Sequence, residues 1–161
     1  ADDIDWRPAE QDAVRELFAG YVDQSPFGFK DPRTLLTLAG WQQLFPQLRY
    51  IGIFRHPLAV AQSLCNRSGM PVAQGLELWY QYNRRLLRQY RDQAFPLLSF
   101  DEEQVVFQQK LQQVLSTMGF DASNWQGEFF DENLRSAHRE SEGVLPWKIR
   151  RLYRKMQRLA A

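Results

Sequence analysis

The sequence holds one cysteine, Cys65, and two histidines, His56 and His138, among 161 residues. A single thiol excludes an intramolecular disulfide framework and a cysteine-rich zinc site, and two histidines argue against a histidine-built metal site. No metal is expected. No apolar run approaches the roughly 18 residues that mark a membrane span, and the first twenty residues lack the basic start and apolar stretch of a secretory signal. A reducing, cytoplasmic setting is therefore the expectation. An excess of either charge is missing too: 20 Lys+Arg against 19 Asp+Glu leave a formal charge of +1, which argues against a dedicated nucleic-acid binder. The balance hides an asymmetry. Residues 144–161 carry Lys148, Arg150, Arg151, Arg154, Lys155 and Arg158 and no acid, whereas residues 1–23 are acid-rich. The plain reading of the basic end is a solvated helix face.

What is present is apolar and aromatic, 44% hydrophobic with 14% Phe, Trp and Tyr. That content is too high for a disordered chain, and the length suits one domain, 1–161, around one core. The chain starts at Ala1 and its first clear element reads as mid-domain, so an N-terminally incomplete domain is expected.

Pro8 and the spacing of Ala9, Val14, Leu17, Phe18 and Tyr21 predict a helix over 8–22. The proline-punctuated PFGFKDPR at 26–33 reads as a brief buried strand that delivers Lys30 and Asp31 to its end, followed by a helix through Leu38 and Trp41 that closes before Pro46. The apolar run at 48–54 predicts a buried parallel strand, and Pro57 permits a helix to start but not to continue through it, so 57–67 is expected to be a helix stopped by Ser68-Gly69. A long amphipathic helix over about 72–93, a core strand at 96–100, a helix over 102–118 capped by Asp101, and a basic helix over 146–159 complete the pattern. Short strands alternating with helices predict an α/β fold with a parallel sheet covered on both faces.

The stretch LRYIGIFRHPLAVAQSLCNR, residues 48–67, carries the chemistry. A parallel strand passing directly into a helix N-terminus makes an anion site, because the first helical N–H groups lack intrahelical partners and the helix dipole favours negative charge there. Arg55 at the strand end adds a planar fork matched to phosphate. Ser63 follows by eight residues and Arg67 by one further turn on the same side. Read alone, the pattern also suits a surface arginine, a packing serine and an arginine that complements the helix C-terminus.

Upstream, FKDPR at 29–33 precedes the Leu-Phe-Pro of 44–46, the apolar strand, Arg55-His56-Pro57 and Ser63. In this order the residues resemble the central part of the sulfotransferase superfamily, especially its bacterial branch, and are also similar to the tyrosylprotein enzymes. The resemblance covers about residues 26–100, including LELWYQYNRRLL at 76–87 and LLSFDEE at 97–103. It implies a three-layer fold of the P-loop nucleotide-hydrolase type. It also implies a sulfuryl donor, 3′-phosphoadenosine-5′-phosphosulfate, whose 3′-phosphate would be held by Arg55 and Ser63 with Arg67 as a second basic position. Lys30 would stand near the transferring sulfuryl group, where a fixed cation stabilises charge growing on the leaving phosphate oxygen. Asp31 and Arg33 are expected to hold the turn.

The family's Gly/Ser/Thr-rich loop for the donor's 5′-phosphosulfate has no counterpart here, since all nine glycines stand singly. The first strand and that loop are therefore expected to be missing. His56 is a weaker candidate for a catalytic base, and by analogy alone His138 would stand near the cofactor or acceptor mouth and Arg139 near the donor phosphates. The acceptor would be a hydroxyl or amine on a small molecule, glycan or lipid. Trp79, Tyr80, Trp125, Phe129, Phe130 and Trp147 are candidates for its pocket or, more plainly, for the core. Two other readings stay open: a second phosphate-loop enzyme such as a small-molecule kinase, which would need Mg²⁺ and ATP, and a non-catalytic interaction domain that keeps the fold.

Overall fold

Prolines and one glycine set most of the element boundaries. The computed structural model describes residues 6–21, 28–121 and 144–160, and the chain divides into two compact units, Ala1–Arg49 and Tyr50–Ala161.

In the first unit α1 spans Pro8–Ala19, with Pro8 in the first turn, where its missing N–H would have had no helical partner anyway. The helix stops earlier than its apolar spacing implies, because the chain turns at Gly20 and the Tyr21 N–H bonds the Phe18 carbonyl. The strand expected over 26–33 is not found among the described residues 28–33. Residues 26 and 27 lie outside the described residues, 28–31 are irregular, and Phe29 is 48% exposed. The cause is local: the Asp31 carboxylate accepts the Arg33 N–H at 2.8 Å and caps a 3₁₀ helix, Pro32–Leu36. Side-chain capping competes with a strand ladder, and Pro32 has no N–H to contribute to one. Helix α2, Leu38–Leu44, follows and does close before Pro46. Trp41 lies at the centre of this unit's aromatic packing, its ring centroid 4.7 Å from Trp6, 5.4 Å from Phe18 and 5.0 Å from Phe29. Offset and edge contacts at these distances add to the stabilisation from apolar burial.

The second unit is α/β and mostly helical, and its described residues contain a two-stranded parallel sheet. Strand β1, Gly52–Phe54, pairs with β2, Leu97–Ser99, in the register Gly52 to Leu97, Ile53 to Leu98 and Phe54 to Ser99. Both strands are shorter than their apolar runs, 48–54 and 96–100. A strand extends only as far as it has a partner, and Pro96 cannot donate to a ladder.

Helix α3, Pro57–Ser68, ends at Gly69, whose φ of 70° is the left-handed conformation that glycine adopts without a Cβ clash, and the Gly69 N–H closes the helix on the Cys65 carbonyl at 2.8 Å. Helix α4 is Val72–Asp92. Its Gly75 sits so close to α3 that a Cβ there would lie 2.9 Å from the Ala61 Cα, so the two backbones touch with Ala61 fully buried between them. Helix α5 is Gln104–Thr117 and α6 is Trp147–Leu159.

Alternation along β2 divides the core, as period-two geometry requires. Leu97 joins Phe54, Ala61, Leu76, Trp79, Leu87, Ile149, Tyr153 and Met156, which places α3, α4 and α6 on one side of the sheet. Leu98 instead joins Phe107 and Val114 of α5 on the other side. One expected cap is corrected: Glu103, not Asp101, stands at the N-cap of α5. The Asp101 carboxylate has another partner, the Tyr153 hydroxyl, which donates to it at 3.0 Å. No helix among the described residues is long and apolar enough to cross a membrane.

Candidate anion-binding site

Arg55 is the first residue beyond β1, and two residues later Pro57 opens α3. The strand-to-helix turn is therefore only Arg55 and His56, as short as the sequence implied. His56 has extended backbone geometry and its carbonyl accepts the Val60 N–H at 3.1 Å, so the amides of Leu58 and Ala59 come before the first intrahelical bond. A helix start with amides ahead of its first bond favours an anion.

Contacts with Trp79 and Phe100 help to fix the arginine. The indole N–H of the buried Trp79 donates to the Arg55 carbonyl at 2.9 Å, tying the strand end to α4. The Arg55 guanidinium carbon lies 4.9 Å from the Phe100 ring centroid, just beyond β2, so the side chain leans across the carboxyl ends of both strands. Parallel strands deliver their ligands at this edge. The cation over the ring is also an attractive contact in its own right, and the residue as a whole is half-buried.

Ser63 and Arg67 are exposed and stand one turn apart on the same side of α3. Ser63 is six residues past Pro57, about 9 Å along the axis. Arg67 is in the last turn, where a cation also complements the helix dipole. Lys30 is exposed and belongs to the first unit, immediately before the Asp31 cap. The Arg33 hydrogen bonds, and less strongly the charges of Arg33 and Lys30, hold the Asp31 carboxyl down at about 2. Asp31 and Arg33 thus form the turn that the sequence implied, with Arg33 Nη2 2.7 Å from Asp31 Oδ2.

A second polar pair borders the strand ends. Tyr153 of α6 packs edge-on against His56, with ring centroids 5.1 Å apart, while its hydroxyl holds Asp101 just past β2. Burial first, then the Asp101 charge and hydrogen bond, raise the Tyr153 phenol above its ordinary value. The native phenol therefore keeps its proton at a pH where an unfolded tyrosine, near 10, releases one. The stabilisation is complete below about pH 10 and is lost as pH rises beyond it. Urea denaturation of the wild type should show stability falling above pH 10, and Tyr153→Phe should flatten that fall; an equal fall in the variant would remove Tyr153 as its source.

Sequence reasoning missed the Asp101–Tyr153 pair and the clamp that Trp79 places on Arg55. Among the aromatic candidates for an acceptor pocket, Trp79 is core at 3% exposure, Tyr80 is half-buried under the Lys148 ammonium at 4.9 Å, and Trp147 is 64% exposed. Trp125, Phe129, Phe130, His138 and Arg139 lie outside the described residues. Among the described residues no group of three or more His, Cys, Asp or Glu could hold a metal ion. No family model matches the chain, and no curated protein or solved structure matches it significantly.

Proposed function

We propose that the chain is a sulfotransferase domain of the P-loop-like, three-layer α/β type, moving a sulfuryl group from 3′-phosphoadenosine-5′-phosphosulfate to a hydroxyl or amine acceptor. The observation that supports this reading is Arg55, held by Trp79 and Phe100 at the carboxyl edge of a parallel strand pair, two residues before a helix start. In this reading Arg55 and Ser63 hold the 3′-phosphate and Arg67 adds charge at its rim. Lys30 takes the role that its Lys-Asp-Pro-Arg setting implies, stabilising the leaving oxygen through charge that matters most in the transition state. The acceptor is a small molecule, glycan or lipid.

The test is transfer itself. With the labelled donor and a panel of hydroxyl and amine acceptors, the reading expects release of adenosine 3′,5′-bisphosphate coupled to acceptor labelling and unaffected by EDTA. Labelling from ATP that requires Mg²⁺ would point to the kinase reading, and neither activity, with nucleotide still bound, to the interaction domain.

A further inference from the structure

Helix α6 divides its residues sharply. Ile149, Tyr153 and Met156, at i, i+4 and i+7, are buried in the core of the second unit. Leu152 and Leu159 pack against the same core, and the exposed side is mostly basic: residues 144–160 contain Lys148, Arg150, Arg151, Arg154, Lys155 and Arg158 and neither Asp nor Glu. Lys148 pairs with Glu77 of α4 at 2.7 Å, and the other five have no carboxylate within 4.0 Å among the described residues. Arg150, Arg151, Arg154, Lys155 and Arg158 line one open depression together with Trp147. Trp147, Arg151, Arg154, Lys155 and Arg158 recur at i, i+4, i+7, i+8 and i+11, so they form one stripe about 17 Å long.

This stripe carries exposed apolar surface as well as charge. At its N-terminal end Val144 is 95% exposed and Trp147 is 64% exposed, with the Arg151 guanidinium carbon 5.2 Å from the Trp147 ring centroid. Tryptophan and arginine side chains both combine an apolar body with a polar tip, which suits the boundary between headgroups and acyl chains. An exposed valine beside them matches a surface with an apolar layer beneath its charge. Because the apolar face of α6 is already committed to the core, the helix cannot insert, and only its basic stripe and the Val144–Trp147 end can make contact.

We infer that the exposed face of α6 docks the protein peripherally on an anionic lipid surface, with Arg150, Arg151, Arg154, Lys155 and Arg158 on headgroup phosphates and Trp147 at the interface. Each basic residue near such a surface contributes favourably and is screened by salt. The inference does not depend on the nucleotide site.

Co-sedimentation with vesicles of phosphatidylcholine, and of phosphatidylcholine with 30% phosphatidylglycerol, tests it. Binding to the anionic vesicles alone is expected, falling steeply between 0.1 and 0.5 M salt. Arg151→Glu/Arg154→Glu/Arg158→Glu should lower the partition coefficient by about a hundredfold or more, with its melting curve reporting whether it folds. Trp147→Ser, at an exposed position, should weaken binding several-fold at either salt concentration and serves if the triple variant does not fold. Equal binding to both vesicles, no binding to anionic vesicles, or folded variants that bind like wild type would overturn the inference. Binding to a single-stranded oligonucleotide without vesicle binding would overturn it in favour of a nucleic acid.

Discussion

Trp79→Ala should destabilise the protein by about 3–5 kcal/mol, the usual cost of emptying a large buried aromatic site. Trp79 is 3% exposed and packs in the cluster that joins β1, β2, α3, α4 and α6, so little of the void can be filled by solvent or by a moving loop. Set against the 5–15 kcal/mol that holds a typical domain together, the loss is large enough to unfold a fraction of the chain at body temperature. Trp79→Phe separates packing from hydrogen bonding. It keeps most of the ring but leaves the part-buried Arg55 carbonyl without the indole N–H, at a cost of about 1–3 kcal/mol. Urea denaturation measures both, and a loss under about 1 kcal/mol for Trp79→Ala would show that the cluster is not the core described above. In the Phe variant, a nucleotide affinity that drops more than its stability explains would confirm that Trp79 positions the strand end.

Arg55→Ala should weaken binding of adenosine 3′,5′-bisphosphate by about 10- to 150-fold, since a hydrogen bond to a charged partner contributes about 1.5–3 kcal/mol. Arg55→Lys should recover only part of this, because an ammonium restores charge but not the planar fork. Ser63→Ala, which removes a neutral hydroxyl, should cost roughly two- to tenfold. Ser63 is exposed and lies outside the core clusters, so Ser63→Ala should leave the melting temperature nearly unmoved, whereas Arg55→Ala also removes the contact with Phe100 and should lower it by a few degrees. Isothermal titration calorimetry with a parallel melting curve reads both quantities. If Arg55→Ala bound as tightly as wild type, Arg55 would have no part in the site.

Much of this was legible because the signals are local. Pro57 and Gly69 bound α3 through their own backbone restrictions, and the amphipathic spacing from Leu76 to Tyr90 marks α4 without reference to anything else. Where a partner decides, the sequence is silent. Asp101 looks like a helix cap on composition, but its hydroxyl partner is 52 residues away, on α6. Trp79 clamps a backbone carbonyl, and since every residue carries one, no pattern could reveal which. The segment around Lys30 misled for a different reason: its aromatic residues suggest burial, whereas Asp31 and Pro32 impose a capped 3₁₀ turn and Lys30 stays exposed. The basic end was visible as composition, and only the burial of Ile149, Tyr153 and Met156 showed which side of α6 remains available.

Whether Arg55 and α3 bind the 3′-phosphate of a nucleotide is decided by titrating the wild-type protein with adenosine 3′,5′-bisphosphate and with adenosine 5′-monophosphate under identical salt. Saturable binding of the bisphosphate is expected, at least tenfold tighter than that of the monophosphate, with the difference abolished in Arg55→Ala. Equal affinity for the two nucleotides, or a preference that survives the loss of Arg55, would contradict it.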